Sequence, residues 1–220
     1  MRREPLDFYV DKLARNEYFS LTRWGDGELL CMWGRKGKNS NGCDYSPDLF
    51  IDLHGAMHHK EHNFIYGLQH VLPGDMERAE KLYPVEWFDS EVFGEALAEG
   101  KLFPLIKQLR KMNTVVIGNS SIKQMVKEVI GCTKFIEVPP ANALLEKDKV
   151  IADCMRLAPA CFLFSCGMAA NVFVSELHDI EKSFFIDLGH IWDAFAGIMS
   201  RCDIEGKTIE QINENLHEAH

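Results

Sequence analysis

Thr114-Val115-Val116-Ile117-Gly118-Asn119-Ser120-Ser121 reads as a strand with no polar face, closed by a glycine and opening onto a helix start. A strand that is apolar on both faces belongs in a sheet covered on both sides, the usual setting of parallel strands. Further strands are read at Lys134-Phe135-Ile136-Glu137-Val138, at Ala160-Cys161-Phe162-Leu163-Phe164-Ser165 and at Ser183-Phe184-Phe185-Ile186-Asp187. Residues 120–130, 142–157, 168–178 and those from about 190 carry helical spacing. Strand and helix in alternation predict an α/β fold, Rossmann-like, with a mostly parallel sheet and helices on both faces. At least four βα units are expected in this second half.

The first half extends the same pattern. Residues 5–16 read as an amphipathic helix with Leu6, Tyr9, Val10 and Leu13 inward. Residues 18–23 read as a strand, and a short helix is expected from Gly27 to about Trp33. Residues 34–45 form a polar, glycine-rich loop of a length that is often functional. Ser46-Pro47-Asp48 starts a helix, with Ser46 as cap and Pro47 first, carrying Leu49, Phe50, Leu53 and Met57 inward. Asn63 to Gly67 is a strand candidate, and two or three helical segments follow up to about Met112. With no repeat or linker, a single domain over 1–220 is expected, ending in a polar tail from about residue 207.

Composition narrows the function classes. The 220 residues are 46% hydrophobic and 26% charged, as in ordinary globular proteins. No apolar run approaches the roughly 20 residues that cross a bilayer. No apolar segment follows Met1-Arg2-Arg3-Glu4-Pro5, so no secretory signal is expected. Seven cysteines without a CxxC pair suit reduced thiols in a cytoplasmic protein. A net charge of −9 with no basic stripe disfavours nucleic acid as the main partner, because that affinity comes from Lys and Arg on phosphates. A chain this acidic would handle phosphates through a metal, helix N-termini and one or two arginines.

Ligands of such sheets bind beyond the carboxyl ends of the strands. Those ends are Arg23-Trp24-Gly25-Asp26-Gly27-Glu28, Gly118-Asn119-Ser120, Glu137 to Asn142, Cys166-Gly167 and Asp187-Leu188-Gly189-His190, and they are expected to converge on one site. Asp26 and Glu28 offer hard oxygens suited to a divalent ion such as Mg²⁺ or Mn²⁺. Gly25 lets the backbone turn and a ligand approach. A diphosphate beside two carboxylates needs such an ion between them, and Arg23 could share the phosphates as a fork of donors. The same acids would equally serve a helix N-terminus, and Arg23 a salt bridge to them. Gly118 and Asn119 suit an anion or ribose contact, or an ordinary βα turn. Gly167 permits close approach, and Cys166 reads best as a structural thiol. Asp187 or His190 could accept a proton from an attacking hydroxyl, or cap and pack. His54, His58, His59 and His62 have the spacing of one solvated helix face; a zinc site is the rarer reading.

The ordered set resembles the bacterial glycosyltransferases of the GT-D fold, once catalogued only as a domain of unknown function. The matching segments are Arg23 to Glu28, Val115 to Asn119, Ile136-Glu137-Val138-Pro139 with Asn142-Ala143, the Gly167 turn and Asp187 to His190, spanning about residues 18–197. The chain departs at Cys166-Gly167-Met168-Ala169, where a Gly-Pro-Thr-Ala-like turn is expected. The resemblance implies that Asp26 and Glu28 hold Mn²⁺ or Mg²⁺ against a nucleotide-diphosphate sugar, a UDP-sugar foremost. Asn119, Glu137 and Asn142 would line the nucleotide or sugar pocket, and a glycan or glycoprotein would be the acceptor. A metal-dependent phosphohydrolase and a non-enzymatic nucleotide-binding module are the rival expectations.

Overall fold

The computed structural model describes residues 1–69 and 71–198. The polar tail expected from about residue 207 lies outside the described residues. The elements run α1 (Leu6–Arg15), β1 (Ser20–Trp24), α2 (Asp26–Met32), α3 (Pro47–Gly55), β2 (Phe64–Leu68), α4 (Pro73–Leu82), β3 (Trp87–Asp89), α5 (Val92–Ala98) and α6 (Phe103–Leu109). Then come β4 (Thr114–Gly118), α7 (Lys123–Ile130), β5 (Lys134–Glu137), α8 (Lys147–Leu157), β6 (Cys161–Ser165), α9 (Ala169–Leu177) and β7 (Phe184–Asp187). Short 3₁₀ turns, Ser120–Ile122 and Ala143–Glu146, lead into α7 and α8.

The strands form one seven-stranded sheet in the order β3-β2-β1-β7-β6-β4-β5, parallel throughout. Alternate strand residues feed two cores. Val116, Leu163 and Ile186 face a layer built from α1, α5, α6 and α7. Val115, Ile117, Phe162, Phe164 and Phe185 face the layer of α2, α3, α8 and α9. This period of two is why the strands read as apolar throughout. Phe162 and Phe185 stack across adjacent strands at 5.2 Å, and burying each ring contributes roughly 2–3 kcal/mol.

Helix ends follow their local chemistry. Asn16 and Gly131 close α1 and α7 in the left-handed conformation at φ 55° and 66°. The Ser46 hydroxyl accepts the Leu49 N–H at the start of α3. In α3 only part of the expected face is inward: Leu49 and Leu53 are buried, Met57 is half-buried, and Phe50 is exposed against the His54 ring.

Two expectations fail. β3 lies within the region read as helical, because three residues on a sheet edge are too short to show a period. Residues 189–197 form successive turns rather than a helix, so three βα units, not four, precede the last strand. Ile191, Trp192, Asp193, Ala194 and Phe195 are buried in unbroken succession there, which the single inward face of a surface helix does not give.

Candidate functional site

β1 and β7 are neighbours, yet they pair only at Ser20↔Phe185 and Leu21↔Ile186. Beyond Leu21 the strands part, and the gap is the crevice where a doubly wound sheet binds ligands. A cleft of about 260 Å³ opens there. Arg23, Asp26, Glu28, Gly167, Asp187 and His190 line it, together with Gln69, Glu91 and the loop residues Arg35, Lys38 and Asn41.

α2 begins at this end of β1. Gly25 is its N-cap, and the Glu28 carboxylate accepts the Gly25 N–H at 2.9 Å. Asp26 is the first helical residue, exposed to the cleft, and its Oδ1 accepts the Gly27 N–H at 2.8 Å. The capping expectation is therefore met by Glu28, with Asp26 one position inside the cap. Both acids still line the cleft. Two hard carboxylates suit a small divalent ion that completes its shell with phosphate oxygens and water.

Arg23 is buried, 6% exposed, at the cleft floor. Its Nη2 donates to Gln69 Oε1, and its guanidinium packs on Gly189. The buried Asp187 carboxylate lies within its field and accepts the Gly189 N–H at 2.8 Å. Burial pushes the Asp187 carboxyl up to about 6, while Arg23 and the Gly189 N–H pull it down. Gly189 adopts φ +54°, and a Cβ there would fall 2.6 Å from Arg23 Nη1.

His190 is held on both ring nitrogens. Nδ1 faces Asp193 Oδ2 at 3.0 Å, and Asn41 Nδ2 donates to Nε2 at 3.2 Å. An amide NH₂ donates only, so this geometry puts the imidazole proton on Nδ1 toward Asp193 and leaves Nε2 as the acceptor. Desolvation, then Asp187, pushes the neighbouring Cys166 thiol well above its ordinary value, opposing a thiolate nucleophile.

Not every polar strand end reaches the cleft. β6 stands between β7 and β4, so Gly118, Asn119 and Glu137 are carried away from Asp26. Asn119 caps the turn through Ser121 N–H at 2.9 Å, and Glu137 accepts from Lys123 at 3.2 Å on the surface. Asn142 anchors the 34–45 loop: its Oδ1 accepts the Asp44 N–H and its Nδ2 donates to Asp44 Oδ2, both at 2.7 Å. Sequence reasoning missed Gln69 and Glu91 of the cleft lining and the His190 partner Asp193, while Arg35, Lys38 and Asn41 fall in the 34–45 loop flagged for its length. Only Asp193, three residues after His190, had a local signal.

The histidine cluster is not one helix face. α3 ends at Gly55, and His59 turns inward while His54, His58 and His62 stay exposed. His59, Glu61 and His178 bring their ligand atoms within 4.8 Å of one another, a grouping that can hold a divalent ion. They lie at the opposite end of the sheet, before β2 and β7.

No family model matches the chain, and no curated protein matches it. Solved structures do. A domain of unknown function 1792, described as having a distinct glycosyltransferase fold, aligns with a TM-score of 0.67. It is 16% identical over 94% of this chain and 90% of that one. A structure described as a new glycosyltransferase from Streptococcus sanguinis aligns with a TM-score of 0.70 at the same identity, covering 94% and 93%. The chain thus has the glycosyltransferase fold of those proteins. Among the described residues no helix is long and apolar enough to cross a membrane.

Proposed function

We propose that the protein is a cytoplasmic, metal-dependent glycosyltransferase that moves a sugar from a nucleotide-diphosphate donor, a UDP-sugar foremost, to a glycan or glycoprotein hydroxyl. One observation carries this reading: Asp26, Glu28 and Arg23 share a cleft with His190, whose ring Asp193 holds, at the parting of β1 and β7. The glycosyltransferase names of the structures that share its fold support it.

Asp26 and Glu28 would hold Mn²⁺ or Mg²⁺, which would neutralise the diphosphate and stabilise it as leaving group. Arg23, steadied by Gln69 and Asp187, would bind the same phosphates as a rigid fork. Arg35 and Lys38, also at the cleft, would add positive charge from the loop. His190 is the better base of the two candidates, because its Nε2 is an acceptor and Asp193 stabilises the imidazolium that forms. The acceptor hydroxyl would replace Asn41 at Nε2 and give up its proton there. Its oxygen would bond to the anomeric carbon while the sugar–phosphate bond breaks, the electron pair leaving on the diphosphate. Gly25 and Gly167 would give the donor close backbone approach. Asn142 would act on the donor only through the loop it anchors, and Gly118, Asn119 and Glu137 are given no part in binding it.

Incubation with a panel of nucleotide-sugars, Mn²⁺ and acceptor glycans tests the reading. Donor consumed only when acceptor is present supports transfer. Phosphate released from simple esters would instead point to a phosphohydrolase. Absence of Mn²⁺-dependent nucleotide binding would leave Asp26 and Glu28 as capping residues. His190→Ala and Asp193→Asn should both lower kcat, the former by about 10²–10⁴-fold.

A further inference from the structure

At the amino end of the sheet, two histidines 119 positions apart in the chain, His59 and His178, bring their rings to a centroid distance of 4.9 Å. His59 is almost fully enclosed. Its ring stacks on Phe64 at 4.1 Å, its backbone N–H donates to the Tyr66 hydroxyl at 2.9 Å, and its Nε2 faces Ser175 Oγ at 2.9 Å. His178 is fixed in the same manner, Nδ1 against Ser20 Oγ at 2.8 Å. Each ring therefore has one nitrogen engaged by a serine hydroxyl. That leaves Nδ1 of His59 and Nε2 of His178; Glu61 Oε2 lies 3.4 Å from His59 Nδ1, and one ligand atom from each of the three residues lies within 4.8 Å of the others.

We infer that His59, His178 and Glu61 form a three-ligand site for a late first-row divalent ion of the Zn²⁺ class, separate from the cleft. Two imidazoles and a carboxylate are a donor set that suits Zn²⁺ more than Mg²⁺. Bonds of about 2.0–2.1 Å in a tetrahedron give ligand–ligand edges of about 3.4 Å, the spacing of His59 and Glu61. Ser175 and Ser20 are the outer partners that fix ring orientation, which metal-binding histidines ordinarily have.

The site cannot serve the transfer chemistry directly. Ser20 begins β1 and Trp24 ends it at the cleft, a separation of roughly 13 Å at 3.3 Å per residue. An ion here would instead tie the connection before β2 to the end of α9, the helix whose other end lines the cleft wall through Met168.

Chelator-stripped full-length protein titrated with Co²⁺, then Zn²⁺, tests this. The expected result is one Co²⁺ per chain with strong visible absorption, displaced by Zn²⁺, in both wild type and Asp26→Ala. Glu61→Gln should weaken Co²⁺ at least about tenfold, and His178→Ala should abolish the absorption. If His178→Ala does not fold, the exposed Glu61→Gln decides. Wild type lacking the absorption, Glu61→Gln binding as tightly as wild type, or loss in Asp26→Ala instead would each overturn the site.

Discussion

One side chain, Asn171, grips the backbone of Arg23 from both directions. Asn171 Oδ1 accepts the Arg23 N–H at 2.9 Å and its Nδ2 donates to the Arg23 carbonyl at 3.0 Å. Asn171 is fully buried in α9, and it sits where β1 has parted from β7. The amide thus replaces the ladder bonds that a neighbouring strand would have made, and the crevice can open without orphaned backbone. Replacing it with Ala should strand both groups and cost about 2–4 kcal/mol, read from a urea melt. Activity should fall further than stability does, because Arg23 loses its placement. An Asn171→Ala protein as stable as wild type would refute the clamp.

Gly189 and Arg23 make the second sharp constraint. At φ +54° any other residue is strained, and a Cβ would press on the guanidinium. Gly189→Ala should destabilise by about 1–2 kcal/mol and weaken nucleotide-diphosphate binding as Arg23 is displaced. Thermal melting and calorimetric titration with UDP and Mn²⁺ separate the two effects. Unchanged nucleotide affinity would mean that Arg23 does not touch the phosphates.

Asp187 gives a pH signature. Its carboxyl is raised by burial to about 6 in the fold, against 3.8 ordinarily. Well below pH 3.8 it is protonated in both states and imposes no penalty. As pH rises toward 6 the unfolded chain releases the proton and the fold does not, so stability falls, and above 6 the loss is complete. The full loss is about 3 kcal/mol at 1.36 kcal/mol per pH unit. Asp187→Asn should flatten this slope between pH 4 and 6 in chemical denaturation. A slope equal to that of wild type would show that Asp187 is not the group responsible.

Two carboxylates make a weak metal site alone. Among the described residues, Asp26 and Glu28 do not belong to any group of three close metal-ligating side chains. Mn²⁺ should therefore bind the cleft poorly until a diphosphate completes its shell. UDP should tighten Mn²⁺ at least about tenfold, and Mn²⁺ should tighten UDP by the same factor. Asp26→Ala should remove this coupling in paired titrations while leaving the fold intact, since Asp26 is exposed. Equal UDP affinity with and without Mn²⁺ would sink the metal assignment.

The period of the strands was legible in the chain because it is local. Val115, Val116 and Ile117 face opposite cores on successive residues, and no distant partner is needed to see that both faces are apolar. The βα turns were legible for the same reason: Gly118-Asn119, Gly167 and Asp187-Leu188-Gly189 carry their turn chemistry within a few residues. The Asp26–Glu28 pair and its helix start also lay in one short stretch. The turns at 189–197 misread as helix because Ile191, Trp192, Ala194 and Phe195 carry the spacing of one helix face, and only the fold shows Asp193 buried among them.

What the sequence by itself determined, then, is the α/β class, the parallel two-sided sheet and the acids at the end of β1, each set by residues within one turn or strand. Only the tertiary structure decided which strand ends meet. The insertion of β6 between β4 and β7 takes Asn119 and Glu137 away from Asp26, while the parting of β1 and β7 brings Asp187 and His190 to it. The partners Asn171, Gln69 and Asn41, and the meeting of His59 with His178, belong to the same category. Hydrogen bonds between residues tens to more than a hundred positions apart depend on strand order, and strand order is a property of how the whole sheet closes its two cores.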